Sequence, residues 1–468
     1  MSIAENGVKF KDLEKRIYKK VCEYGCEHVK EMLEELDGEL GAKRDKKKYR
    51  SKGKRKKVIK TIMGEVEFSR TVYEVVKSEI KSYVYLLDEE IELTESGFFS
   101  GLLSEYIVNA SCESTYRNAA KAVTELTGQS LSHIAAWNIV QQIGEKINEK
   151  EAEQAKRAKR FEGTGKLESK VLFEEKDGIW LKLQGKSRKE YGTSKEMKLA
   201  IAYDGAKKVG KNRYSLTNKV ACANFESVSA FKARTEGVIA SAYNVDEIEM
   251  RLLNGDGAEW IKHGVTEEYD VYFQLDPFHR NKAILTYVTD REKQKLLSSL
   301  LYEGRCGDVL SCMEAYINCS ECQEKASLEK LYSYFNSNKD GLIEVHRRKL
   351  DIPAQEGKVY RHMGCMESNI FTILGNRMKG RRACWSIKGG NNLARMLCLK
   401  ATNRLSETLN NLSQTVLPER YAKEERIPMS ASKIPLRIGK GYNGYTKGGA
   451  FPATANYEWL RNIGKTAW

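Results

Sequence analysis

Residues 251–282, RLLNGDGAEWIKHGVTEEYDVYFQLDPFHRNK, constrain the fold more than any other stretch of the chain. An apolar run ending in Leu252 and Leu253 breaks at Asn254-Gly255-Asp256-Gly257. A second run, Val271-Tyr272-Phe273-Gln274-Leu275, stops at Asp276-Pro277 and leads into His279. Two β runs that each end on an acid beside a turn residue deliver carboxylates to one edge of an open α/β sheet. Ligands and metals bind beyond the carboxyl ends of such strands.

The rest of the chain has to supply that sheet with a core and a partner. With 468 residues, 41% of them hydrophobic, it can bury a full core and is expected to hold two or three domains. No apolar run approaches the roughly 20 residues that span a bilayer. The first residues, MSIAENGVKFKDLEKR, lack the apolar centre of a secretory signal, so a cytoplasmic, nucleoid-associated protein is expected. The 11 cysteines follow no disulfide framework and read as reduced thiols. Cys319-x-x-Cys322 and Cys22-x-x-x-Cys26-x-His28 lie in helical contexts with no complete zinc set, which argues against metal at either.

Charge points to a polyanion. Lys and Arg total 79 against 64 Asp and Glu, a net charge of +15. Residues 43–60, KRDKKKYRSKGKRKKVIK, hold 12 of these cations and a single Asp. Such a run, with Lys54, Arg55, Lys56 and Lys57 at its centre, suits the backbone of double-stranded DNA. It would bind by counterion release, with affinity that falls as salt rises. A solvated basic linker is the other reading. No apolar face accompanies the charges, which disfavours a membrane surface.

Read in order, residues 5–42 show helical spacing at Phe10, Leu13, Ile17 and Val21. After the basic run, residues 60–76 alternate around Met63-Gly64-Glu65 and read as a β-hairpin packed on the helices. Residues 88–157 are helical and free of proline. Within them 114–126 and 130–147, joined at Thr127-Gly128-Gln129 and capped by Ser130 or Ser132, outline a helix-turn-helix; plain helical packing is the alternative. Trp137 and Ile139 fit either. The charged stretch 148–168 reads as a domain boundary. Then 170–175 and 178–183 read as two strands meeting at an Asp177-Gly178 turn, followed by a strand at 197–203, a helix at 229–242 and the fourth and fifth strands around Asp256. Three adjacent strands, a helix and further strands give the order of an RNase H-like sheet. A long helical insertion, about 283–360, follows, and a proline-rich tail begins near 413.

The expected organisation is thus α/β: an RNase H-like mixed-sheet catalytic core at 161–412 carrying the insertion. Before it come a helix, basic run and hairpin at 1–87 and a mainly α DNA-binding region at 88–160. A tail at 413–468 ends the chain.

Three acids stand apart: Asp177, Asp256 and Glu367. Phosphoryl transfer on DNA is served by two hard divalent ions, Mg²⁺ with Mn²⁺ as substitute, about 3.5–4 Å apart on carboxylates. Each acid also has a local explanation, the first two as turn formers and Glu367 as a helix-start residue favoured by the dipole. His279 suits either a phosphate contact or a helix cap. Arg377, Lys379, Arg381 and Arg382 could line a DNA groove, and Trp385 could stack on a base or sit in the core.

The segments NGDGAEWIKHG (254–264), QLDPFHRNKAI (274–284) and the CMES…RMKGRRACWSIKGG…LARM run (365–396) resemble bacterial ISLre-type insertion-sequence transposases. These were long grouped as an uncharacterised protein family and are related to the Mutator-like DDE group. The resemblance covers roughly 170–400 and implies an RNase H-like core, a helical insertion and an Mg²⁺-dependent triad, with Asp177, Asp256 and Glu367 as first, second and third acids. Glu175 and Glu174 rival Asp177, because Gly-Ile-Trp follows it where relatives carry polar residues. Ser-Asn-Ile follows Glu367 where relatives often place a histidine. The expected function is a DDE transposase that cuts transposon ends and joins the 3′-OH to target DNA, working as a homodimer or larger assembly. A structure-specific nuclease and a non-catalytic DNA-binding protein are the alternatives.

Overall fold

A computed structural model describes residues 8–76, 82–92, 99–160, 162, 165–262, 270–380 and 382–412. The expected tail and Arg381 lie outside them. The architecture is mixed α/β.

Helix α1 (Phe10–Lys43) buries only its C-terminal part, through Leu33, Leu36, Asp37 and Gly41. That part lies on an antiparallel ribbon of β1 (Tyr49–Lys60) and β2 (Glu65–Val75), with β3 (Tyr83–Val84) beyond β2. The docking is polar as well as apolar. Buried Asp37 accepts the Thr71 N–H at 3.0 Å and the Thr71 hydroxyl at 2.7 Å. The basic run is therefore a strand, not a linker. On β2 Val66, Phe68, Arg70 and Val72 alternate inward, which fixes the register. On β1 all residues from Arg50 to Lys56 are exposed, and a row of Lys and Arg is how an exposed edge strand avoids pairing with other chains. The expected hairpin thus turns at 61–64, and its first strand is the basic run itself.

A short α2 (Leu86–Glu90) leads to α3 (Gly101–Glu113), α4 (Tyr116–Thr127) and α5 (His133–Lys159). Thr115 caps α4, and Gly128 ends it at φ +72°, a conformation that glycine adopts without strain. Ser132, one of the two candidates, caps α5 by accepting the Ala135 N–H.

The central sheet begins with β4 (Val171–Lys182). After α6 (Gly185–Tyr191) comes β5 (Ser194–Tyr203), then a small ribbon of β6 (Ala206–Lys208) and β7 (Tyr214–Leu216), and β8 (Val220–Asn224). Helix α7 (Val228–Ala242) crosses to β9 (Met250–Gly255), and α8 (Glu259–Lys262) precedes β10 (Asp270–Leu275). Strand order is β10-β9-β4-β5-β8. β5 is antiparallel to β4 and β8 to β5, whereas β9 is parallel to β4 and β10 to β9.

The expected hairpin at Asp177-Gly178 is not there. β4 runs unbroken through both residues, pairing Asp177 with Leu199 and Gly178 with Lys198 of β5. An Asp-Gly pair favours a turn only where nothing else holds the backbone extended. Here β5 pairs with every residue from Phe173 to Lys182, and β9 flanks Val171 to Lys176 on the other side. Gly178 is needed for space: a Cβ there would meet the Glu196 carboxylate at 2.2 Å.

The insertion holds α9 (Pro277–Tyr287), α10 (Arg291–Tyr302), α11 (Cys306–Cys319) and α12 (Cys322–Ser337). Leu297, Leu301, Val309, Met313, Leu328 and Phe335 give it a core of its own, joined to β10 through Leu275. The chain returns through α13 (Met366–Asn369), a π-helical turn at 370–375, α14 (Asn376–Met378), α15 (Ile387–Ala401) and α16 (Leu405–Asn410).

One hydrophobic core contains α3–α5, the sheet and α15. The stretch expected at a boundary, 148–168, opens with the end of α5, which crosses α7 so closely that a Cβ on Gly237 would lie 2.7 Å from the Ala155 nitrogen. α5 meets α15 equally closely, at Gly144. Gly144→Val is expected to cost about 1–3 kcal/mol by overpacking against Asn392, whose Cβ lies 2.5 Å from the Cβ position. Gly38→Ala, in open space within α1, is expected to gain about 0.5–1 kcal/mol from helix propensity. Urea unfolding of the two variants beside the parent measures both.

Candidate active site

The parallel register of β4 and β9 decides what stands at the sheet edge. Lys176 pairs with Gly255, and Gly255 with Leu275 of β10, so the next residues on the three strands are Asp177, Asp256 and Asp276. Neighbouring strands lie about 4.7–4.9 Å apart, which brings three acids into one row. The edge is the carboxyl end of β9 and β10.

Each member is held differently. Asp177 accepts the Gly178 N–H on Oδ1 at 2.7 Å and presents Oδ2 to His279 Nε2 at 3.4 Å. Asp256 accepts the Ala258 N–H on Oδ1 at 2.8 Å, so turn chemistry uses one of its oxygens. Gly257 follows at φ +84° against Asn338, where a side chain would clash. Asp276 is buried and caps α9, accepting the Phe278 and His279 N–H groups on Oδ1. Capping fixes the first turn of α9 and places the His279 ring over the row.

Glu367 completes the group. It lies in the first turn of α13, and its Oε1 is 3.5 Å from His279 Nε2. Ligating atoms of Asp177, His279 and Glu367 all lie within 4.8 Å of one another. Among the described residues His279 Nε2 is buried with no hydrogen-bond partner, the two carboxylate oxygens lying 3.4 and 3.5 Å away. Carboxylates around an orphaned imidazole nitrogen fit a divalent cation, with Asp177, Glu367 and His279 as donors and Asp256 adjacent.

Titration reflects the crowding. The Asp177 carboxylate beside it raises the His279 pKa, with the charges of Asp276 and Asp256 adding to the effect against burial. Asp256 is raised by burial first, then by Asp177 and Asp276, and held back by the Ala258 N–H and His279. Glu196, on β5 opposite Trp180, is raised by burial and then by Asp256 and Asp177, against Lys198. Like charges gathered in one place disfavour ionisation of each.

The rival acids do other work. Glu175 is fully buried and accepts four donors: the Tyr203 hydroxyl at 2.7 Å, Cys365 Sγ at 2.9 Å, the Gly364 N–H at 3.0 Å and Asn254 Nδ2 at 3.1 Å. Glu174 lies on the opposite face, paired with Lys176 at 3.0 Å and Arg251 at 3.2 Å. Glu196 and the exposed Trp180 near this edge were missed in the sequence. Reading Asp177 within one long strand, rather than at a turn, would have placed their strand pairing.

A family model described as "Uncharacterised protein family (UPF0236)" matches residues 3–408. The chain belongs to this family. A UPF0236 protein of Caldanaerobacter subterraneus subsp. tengcongensis is 25% identical over 342 residues, covering 72% of this chain and 66% of that protein. A second from the same organism matches at the same identity over 62% of its length, so the chain spans just under two thirds of these relatives. A Streptococcus gallolyticus relative, "UPF0236 protein in vanSb 3'region", is 24% identical over 345 residues, covering 71% of this chain and 70% of its own.

The basic residues separate into two kinds. Lys54 and Arg55 are exposed on β1, and Lys56 pairs with Glu67 at the surface. Lys57 is instead largely buried against Asp88, which also holds Arg70. Arg377 faces inward, donating to the Ser111 carbonyl between the Tyr116 and Trp385 rings, which removes it from an expected DNA groove. Its neighbour Trp385 is core, with its indole N–H on the Met378 carbonyl. Lys379 and Arg382 are exposed.

Asp177→Asn is expected to weaken Mn²⁺ binding about tenfold or more by isothermal titration calorimetry. Glu174→Gln should leave that affinity within about twofold but lower stability by about 3–5 kcal/mol, since Lys176 and Arg251 lose a buried partner. Equal Mn²⁺ affinities in Asp177→Asn and the parent would remove Asp177 from the centre.

Proposed function

We propose that this chain is a DDE-type DNA transposase of an insertion sequence. The observation that carries the proposal is the meeting of three distant residues at one sheet edge: Asp177 beside Asp256 by strand register, and Glu367 brought to Asp177 through His279. Support for an RNase H-like core comes from three successive antiparallel strands, a crossing helix and two parallel strands on the other side of the first. The helical insertion between the second and third acids agrees with the same reading.

Asp177, Asp256 and Glu367 would hold two Mg²⁺ ions, or Mn²⁺, which when bound supply the charge that activates an attacking oxygen and steadies the leaving one. The chain's own part is to position and to exclude. Asp276 orients His279 through the helix cap, and His279 Nε2 faces both Asp177 and Glu367. Lys54 and Arg55 on β1 would contact phosphates of double-stranded DNA, with Lys379 and Arg382 as further contacts. Helices α4 and α5 fit the helix-turn-helix outline, and Trp137 on α5 is exposed. Joining two transposon ends calls for a homodimer or larger assembly. The outward stripe of Phe10, Leu13, Ile17 and Val21 on α1 is the candidate surface for a second copy.

Two experiments test this. The parent should nick the element's terminal DNA with Mg²⁺ and join its 3′-OH to target DNA. Asp256→Asn should bind the same DNA without cutting it. Cutting without joining would leave a structure-specific nuclease, and binding without cutting in the parent would leave a DNA-binding protein. Separately, Lys54→Ala with Arg55→Ala should reduce the slope of log affinity against log salt by about two, at about 0.9 for each phosphate no longer neutralised. An unchanged slope would remove β1 from the interface.

A further inference from the structure

Outside the sheet edge, Glu344, His346 and His362 bring a second set of ligating atoms together. His346 Nδ1 and His362 Nδ1 face each other at 3.0 Å. Glu344 Oε2 lies 3.5 Å from the first and 3.7 Å from the second. The two rings cross at 82°, so the contact is between nitrogens and not a stack. Zinc holds imidazole nitrogen and carboxylate oxygen at about 2.0–2.1 Å, which sets adjacent corners of its tetrahedron about 3.3–3.4 Å apart. The observed triangle brackets that spacing.

The three residues are also aimed. Glu344 Oε1 accepts from Arg280 at 3.1 Å, and the buried Arg280 is itself fixed on the Leu342 carbonyl at 2.9 Å. That leaves Oε2 to the histidines, the arrangement by which a neighbouring donor orients a metal ligand. The Val345 N–H donates to Gln274 Oε1 at 2.8 Å and ties the short turn carrying His346 to β10. His362 arrives from the other segment, two residues before Gly364.

We propose that Glu344, His346 and His362 form a binding site for one transition-metal ion, zinc by preference, with a fourth position left to water. Two imidazoles and one carboxylate suit zinc, cobalt or nickel, and disfavour Mg²⁺, which prefers oxygen donors. The ion would clamp residues 344–346, already fixed on β10, to the segment running through Gly364 and Cys365 into Glu367. The site is structural and does not depend on the transposase reading. One contact competes with it: Arg347 Nε donates to His346 Nε2 at 3.3 Å. An ion on Nδ1 turns Nε2 into a donor, so binding displaces Arg347, whose guanidinium already lies 3.9 Å over the Tyr302 ring.

The test uses the full chain carrying Asp177→Asn, which weakens the other cluster, after chelator treatment and dialysis. Zn²⁺ is titrated by calorimetry, and Co²⁺ serves as an absorption probe of coordination. The expected result is one Zn²⁺ per chain, visible Co²⁺ bands of a four-coordinate site, and a melting temperature raised by Zn²⁺. His346→Ala and His362→Ala should each weaken Zn²⁺ about tenfold or more and lose both the bands and the melting shift. Arg347→Ala should bind no more weakly than its parent. Both histidines are exposed, so circular dichroism without zinc should match the parent. Absence of Zn²⁺ binding, or equal binding after either histidine is removed, would overturn the proposal.

Discussion

The side chain of Asn254 holds the edge of this sheet together. Its Nδ2 donates to Asp276 Oδ2 at 2.6 Å and to Glu175 Oε2 at 3.1 Å, and its Oδ1 accepts from Gln274 Nε2 at 2.9 Å. One buried amide on β9 therefore reaches both neighbouring strands. A half-satisfied polar layer in a core would be costly, but here both amide hydrogens and the oxygen are used. The layer sits one step behind the acidic row. Glu175 lies two residues before Asp177, Asn254 two before Asp256, and Gln274 two before Asp276. Through Glu175 the same layer reaches Gly364 and Cys365, just ahead of Glu367. Four separate segments are thus registered against one another by hydrogen bonds, whose directionality apolar packing lacks.

The same layer explains how β4 carries Glu174, Glu175 and Asp177 so close in sequence. Strand alternation sends the first to one face and the other two to the opposite face. Glu174 meets two cations there, Lys176 and Arg251, which offset its burial. Glu175 meets no cation and is held by four donors, and burial raises its pKa. Asp177 alone has neither arrangement complete: one oxygen takes a backbone N–H, and the other faces His279. An acid without a closed set of partners is the one free to take a ligand.

What was legible in the sequence follows from how local each signal is. Asp256 could be read because a strand end, two glycines and the acid lie within a few residues. Asp276-Pro277 announced the end of a strand for the same reason, although the helix cap proved to be Asp276 rather than His279. Glu367 had no local mark beyond its helix, and its place depends on an insertion that folds around its own core before the chain returns. The hairpin expected at Asp177 came from a misread local signal: the Asp-Gly pair suggested a turn, and pairing with β5 throughout, with β9 alongside up to Lys176, overrides that preference. The basic run misled in the opposite sense. Its density suggested a DNA contact or a solvated linker ahead of the hairpin, yet alternation on β2 supplied the partner that makes it the hairpin's first strand. Arg377 and Lys57 look like surface cations in sequence. The carbonyl of Ser111 and the carboxylate of Asp88, both distant in the chain, help to draw them inward.

The charge distribution that results is uneven in a way that bears on the proposed chemistry. The chain as a whole is strongly basic, at +15, yet its sheet edge gathers Asp177, Asp256, Asp276, Glu196 and Glu367. Basic strand residues such as Lys54 and Arg55 would draw in a polyanion, and the edge by itself would repel it. The raised values at Asp256 and Glu196 express the same conflict from the protein's side: these acids are crowded beyond what His279 and Lys198 neutralise. Divalent cations would relieve both repulsions at once, between acid and acid and between acid and phosphate. An edge built this way is poorly suited to bind DNA without them, which is why the proposal of a metal-dependent nucleic-acid enzyme accounts for the acids and the basic surface together, where a passive DNA-binding role accounts only for the second.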